Sequence, residues 1–283
     1  MKKVLVSAVV LGSMAVAGVA MAGMSARTGV NGSLHDMNAV VTNADSMARV
    51  CVFCHTPHNA EANSALNPEA NAPLWNHKAG TATYLPYVWV TPLNQKDSGG
   101  ADFGPLSGTE ALQGPSRLCM TCHDGSIAVD QHGKAVEQIG TKKMGDINSG
   151  RANLTGDLTK THPIGFNYED IRTLRNTAAT GGLADATTGD TEIVSSDQKF
   201  ATAVDTAVAQ GTYNTVERLG TKKIKDVLFQ GNIMTCASCH EVHNKENVIQ
   251  DNYVAGSGMS GAPNYFLYAK EAQSLICLSC HIK

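Results

Sequence analysis

All eight cysteines of this 283-residue chain fall in four copies of one motif, Cys-x-x-Cys-His: Cys51/Cys54/His55, Cys119/Cys122/His123, Cys236/Cys239/His240 and Cys277/Cys280/His281. The pattern implies four covalently attached c-type haems. Two thiols one helical turn apart can add to the two vinyl groups of one porphyrin, and the next residue's imidazole then lies under the iron. Zinc ribbons and a disulfide framework also use paired cysteines, but neither needs a histidine after every second cysteine. With ten histidines in 283 residues, four such matches by chance have a probability of roughly one in a million. Four haem c groups are therefore the expected cofactors, each held by two thioethers and one motif histidine.

Covalent haem attachment happens outside the cytoplasmic membrane, and the N-terminus agrees with export. Lys2 and Lys3 precede an apolar run from Val4 to about Ala20, followed by Ala20-Met21-Ala22, the three regions of a secretory signal peptide. Residues 1–22 are expected to be the signal, cleaved after Ala22, with 23–283 as the tetrahaem domain; an uncleaved anchor is the alternative. No second stretch is apolar enough to span a bilayer. Without Lys2 and Lys3 there are 20 basic against 25 acidic residues, a net charge of −5. That balance gives no basic stripe of the kind nucleic-acid binding needs.

Aromatic residues make up only 5% of the chain and it holds 27 glycines, which leaves little for a conventional core. The expected fold is a multihaem cytochrome c: mostly coil, with short helices and a few short strands wrapped around four apolar discs. The first cysteines of successive motifs are 68, 117 and 41 residues apart, and no boundary divides the chain into separate cores. Patterning predicts a short helix at Val50 to His58, a strand-like run at Tyr84 to Val90, and helices at Gly114 to Val129 and Ala269 to His281. The stretch 176–220 lacks cysteine and histidine and reads as a surface insertion, with a short helix near Gln198 to Val208.

An iron in haem has a second axial position, and its occupant decides between electron transfer and substrate chemistry. Six histidines lie outside the motifs: His35, His58, His77, His132, His162 and His243. His58 and His243 each follow a motif histidine by three residues, too close to pass around the ring to the opposite face of the same haem. Each is placed to serve a different haem; a surface histidine beside a propionate is the alternative. His162, before Pro163 and near Ile164 and Phe166, reads as a buried ligand. His35 reads as another, with Asp36 as the partner of its second ring nitrogen. His77 and His132 sit among polar residues and near lysines, and read as solvated. Methionine is the rival ligand type, with Met144, Met234 and Met259 as candidates. Arg117 and Lys134 could pair with propionates, Asp124 could accept from a ligating imidazole, and Trp75 and Trp89 read as packing residues.

The runs LHDMN…RVCVFCHTPHN, APLWN, GPSRLCMTCHDG, DLTKTHPIGF, CASCHEVHN and SLICLSCH together resemble the OmcE-type tetrahaem c-type cytochromes, which polymerise into extracellular nanowires. The resemblance covers roughly residues 35–175 and 230–281 in the same order. It implies that every haem is bis-histidine, with His35, His58, His162 and His243 as distal ligands and His58 reaching the neighbouring subunit. It implies a homopolymer at the cell surface that takes electrons from upstream redox proteins and hands them to extracellular acceptors. It implies an electron carrier, not an enzyme. The alternatives are a soluble periplasmic tetrahaem shuttle and, further off, a multihaem reductase with an open haem.

Overall fold

The computed structural model describes residues 29–61, 74–80, 82–85, 87, 112–133, 140–147, 151–178, 190–198, 223–243, 265–268 and 274–282. Five short α-helices appear among them: α1 (Met37–Val40), α2 (Pro115–His123), α3 (Met144–Ile147), α4 (Tyr168–Ala178) and α5 (Leu275–Leu278). Three single 3₁₀ turns join them, at Cys51–Phe53, Ile224–Asp226 and Cys236–Ser238. The described residues pair only as isolated β-bridges.

α2 carries the second motif. Gly114 precedes it with φ of 49°, and Pro115 occupies the first helical turn, where its missing N–H is no loss. The pattern predicted a helix reaching Val129, but it ends at His123. The Asp124 carboxylate accepts from Ser126 N at 2.7 Å and Gly125 adopts φ of 73°, a local turn that outcompetes another helical turn. The helix expected at Val50 to His58 is reduced to the turn Cys51–Phe53, and the C-terminal helix to Leu275–Leu278 within its described part. No strand forms over 82–85; Leu85 makes one bridge, to Asp157. The signal peptide, most of 176–220 including the helix expected there, and Lys134, Trp89 and Met259 lie outside the described residues.

α4 was not predicted. Asn167 caps it, accepting from Glu169 N at 3.0 Å and Asp170 N at 3.4 Å. Glu169 and Asp170 lie in its first turn and Arg175 in its last, each at the favourable end of the helix dipole. Its buried side, with Tyr168 and Ile171, joins Phe166, Ile193, Val194, Ile224, Leu228, Met234 and Ile282 in the largest apolar cluster, against which Cys280 packs. A second cluster unites Leu112, Met120 and Leu158. Met120 lies inside the second motif and Ile282 directly follows the fourth, so the apolar clusters back onto the motifs.

Three motifs are held by the same backbone clamp. In each, the carbonyl of the first cysteine accepts from both the second cysteine and the histidine: Cys51 O from Cys54 N and His55 N, Cys236 O from Cys239 N and His240 N, Cys277 O from Cys280 N and His281 N, all at 2.8–3.2 Å. A separate strap then crosses the turn. The residue after the histidine donates to the strap, and the strap donates back to the second cysteine's carbonyl. The first clamp is Thr56 N to Leu74 O with Asn76 N to Cys54 O, at 2.9 and 3.0 Å. The second is Glu241 N to Phe266 O with Tyr268 N to Cys239 O, both 2.8 Å. The third is Ile282 N to Glu192 O with Val194 N to Cys280 O, both 2.9 Å.

Candidate functional site

The clamps fix each motif histidine against its strap, at the bridges His55–Trp75, His240–Leu267 and Ile193–His281. His123, within α2, is held instead by Leu154 N donating to its carbonyl at 2.9 Å. Its Nδ1 lies 2.7 Å from Ala152 O, as that of His240 lies 2.7 Å from Tyr265 O. A hydrogen bond at Nδ1 fixes the ring and leaves Nε2 as the free lone pair.

Three motif imidazoles each face a histidine from elsewhere in the chain. Ring centres are 6.2 Å apart for His35 and His123, 6.3 Å for His55 and His243, and 6.4 Å for His162 and His281. Two metal–imidazole bonds of about 2.0–2.1 Å, with about 1.2 Å from nitrogen to ring centre on each side, place opposed rings about 6.4–6.6 Å apart. The three separations therefore fit one iron between each pair. His243, three residues from His240, faces the ring of His55.

The electrostatics favour the neutral imidazole that binds metal. Burial, reinforced by His123, His240 and His243, pushes His35 down to about 4. Burial also lowers His123. None of the eight cysteines is disulfide-bonded. Burial pushes the thiols of Cys54 and Cys280 up to about 11 and that of Cys239 up to about 12. Such sulfurs suit an uncharged thioether better than a zinc thiolate. Among the described residues, no three His, Cys, Asp or Glu side chains converge to hold an ion unaided.

The sulfurs also order the motifs. Electrostatic interaction couples Cys54 to Cys122, Cys119 to Cys236 and Cys280 to Cys239. Cys236 N also donates to Ser116 Oγ at 3.0 Å, tying the third motif to α2.

His240 and His58 remain outside the three pairs. No second imidazole among the described residues stands opposite His240. His58 is exposed, on a turn where Thr56 Oγ1 donates to its carbonyl at 2.7 Å.

Several expectations are corrected. His162, read as buried, is exposed. His77 and His132 are buried, at 0% and 4% exposure. His77 Nε2 lies 2.9 Å from Ala128 O and its Nδ1 3.2 Å from Lys78 O. His132 bonds Asp130 O at 3.0 Å and stands 3.6 Å from Asp45. Carbonyls folded over them replace the solvent that their polar neighbours suggested. Asp36 does not orient His35; its carboxylate caps α1 through Asn38 N at 3.1 Å and accepts from Gly32 N at 2.8 Å. The Nδ1 of His35 is buried without a partner, and its ring stacks on Phe266 at 4.7 Å. Asp124 accepts from Tyr84 Oη at 2.8 Å and from Ser126 N, and Arg117 Nε donates to Leu112 O. Of the candidate methionine ligands, Met234 is buried in the main apolar cluster.

The sequence reading missed Glu241, Tyr268 and Phe266. Glu241 stands between two histidines in CASCHEVH, which was the available signal. Comparison with family models and with curated proteins finds no match to this chain.

Proposed function

We propose that this chain is a tetrahaem electron carrier and the subunit of an extracellular cytochrome filament, as its resemblance to the OmcE-type cytochromes implies. The observation that carries the reading is the histidine inventory. Six of the eight expected ligands stand in three pairs at ring separations of 6.2–6.4 Å. The two left over are His240, opposite which no imidazole stands among the described residues, and His58, which is exposed. A subunit that lacks one ligand and displays another completes itself by meeting a second copy.

Bound haem supplies one-electron Fe(III)/Fe(II) chemistry; the chain supplies order and ligation. Electrostatic coupling between the sulfurs of motifs one and two, two and three, and three and four supports a linear sequence of haems. Paired imidazoles on both sides of an iron leave no substrate position, which favours a carrier over a reductase. Electrons would enter from upstream redox proteins and leave to extracellular acceptors.

The test is the secreted protein and its His58→Ala variant, compared by electron microscopy and visible spectroscopy. The reading expects filaments with four low-spin haems from the first. It expects dispersed subunits with three low-spin haems and one high-spin haem from the second. Filaments unchanged by His58→Ala, or a dispersed wild-type protein with four low-spin haems, would overturn it.

A further inference from the structure

One buried carboxylate in the site has no part in attachment or ligation. Glu241 is buried, at 7% exposure. Its Oε1 lies 3.3 Å from His243 Nδ1 and accepts from His243 N at 3.1 Å. Its Oε2 accepts from Tyr268 Oη at 3.2 Å. Its backbone N–H is fixed to Phe266 O at 2.8 Å by the clamp over the third motif. Both the head and the base of the side chain are thus held, with one oxygen aimed at the outer nitrogen of the His243 ring.

The Nδ1 contacts of three other ligand candidates differ in kind. His123 meets the Ala152 carbonyl, His240 the Tyr265 carbonyl and His162 the Pro163 carbonyl, at 2.7–2.9 Å. That of His35 has no partner. A carboxylate draws the Nδ1 proton more strongly than a carbonyl does, which makes Nε2 the better donor. Stronger donation stabilises the more positive oxidised iron and lowers its reduction potential.

Resting on the bis-histidine reading above, we propose that Glu241 is a positioning residue that holds His243 and lowers the potential of the haem ligated by His55 and His243. Tyr268 moderates the effect by taking part of the carboxylate's charge. The haem attached to motif one is thereby set apart energetically from that of motif two, whose distal candidate His35 lacks any such partner.

The experiment is a spectroelectrochemical titration of the haem-loaded full chain, with haem content and low-spin absorbance measured alongside. Glu241→Gln keeps an acceptor and removes the charge. One of the four reduction steps is expected to move positive, by about a tenfold change in equilibrium constant, 59 mV for a one-electron couple. Tyr268→Phe leaves the carboxylate and frees its charge, so the same step is expected to move negative. Four unmoved steps in Glu241→Gln at full low-spin haem content, or a shift of the same sign in both variants, would overturn the proposal. Should Glu241→Gln lose haem, Tyr268→Phe decides alone. Wild-type protein with fewer than four haems, or without bis-histidine spectra, would instead overturn the ligation reading itself.

Discussion

Asn176 ties the strap 190–194 to α4, and its removal is expected to loosen the clamp over the fourth motif. Its Oδ1 accepts from Thr191 N, Glu192 N and Ile193 N at 3.2, 2.8 and 3.0 Å. Its Nδ2 donates to Asp190 Oδ1 at 2.9 Å and Ile193 O at 2.8 Å. One oxygen cannot serve three donors at full strength, so the five contacts are equivalent to about three or four bonds. At about 0.5–1.5 kcal/mol each, and with water able to reach part of the site, Asn176→Ala should destabilise by about 2–4 kcal/mol. The pairs Arg172–Asp190 at 2.7 Å and Arg175–Glu192 hold the strap in place but cannot satisfy its N–H groups. Guanidinium unfolding followed by loss of low-spin absorbance would give the energy. Amide exchange of Val194 and Ile282, the two donors of that clamp, would give its location. A change under about 0.5 kcal/mol, with both amides as protected as before, would refute the reasoning.

His162→Ala is expected to turn one haem high-spin with all four still covalently attached, read by visible spectroscopy and intact mass. Gly114→Ala forces a Cβ to within 2.7–2.8 Å of the Phe229 ring at a backbone φ of 49°; a loss of about 1–3 kcal/mol in denaturant unfolding is expected. The hydrogen bond from Arg49 holds the Asp45 carboxyl well below the usual range. Its stabilising contribution is therefore complete above the unfolded carboxylate value, about 3.9, and is lost as pH falls below it. Asp45→Asn should flatten the acid limb of a stability–pH curve and leave the neutral region's slope unchanged.

Local chemistry made the four motif turns and the pool of candidate histidines legible in the sequence, because Cys-x-x-Cys-His is a contiguous turn whose residues are read together. Which histidine faces which was not legible: His55 and His243 meet across most of the chain, with no local pattern that pairs them. The straps carry no periodic signal. Leu74 to Asn76, Glu192 to Val194 and Phe266 to Tyr268 become structure only by pairing with a motif's two free backbone groups. Asp36 shows the same limit in reverse. Its place beside His35 suggested a ring partner, but its position before α1 made capping the stronger local use. α4 was readable in principle from Asn167 as cap, the acidic first turn and the Tyr168/Ile171 spacing, and was hidden by the small polar residues that follow it.

The repeated clamp also bears on why so thin a core suffices. Each strap satisfies the backbone of one motif, and the strap over the third motif does more. Tyr265 O takes the Nδ1 of His240, Phe266 stacks on His35, and Tyr268 donates to the carboxylate beside His243. His35 faces the second motif's histidine, His240 belongs to the third, and His243 faces that of the first. Tyr265 and Phe266 thus touch histidines of two candidate sites and Tyr268 reaches the third through Glu241, so a displacement of this strap would disturb three candidate sites together. Shared straps tie neighbouring candidate sites together, and under the proposed function fixed spacing between haems is what electron transfer along a chain of them requires.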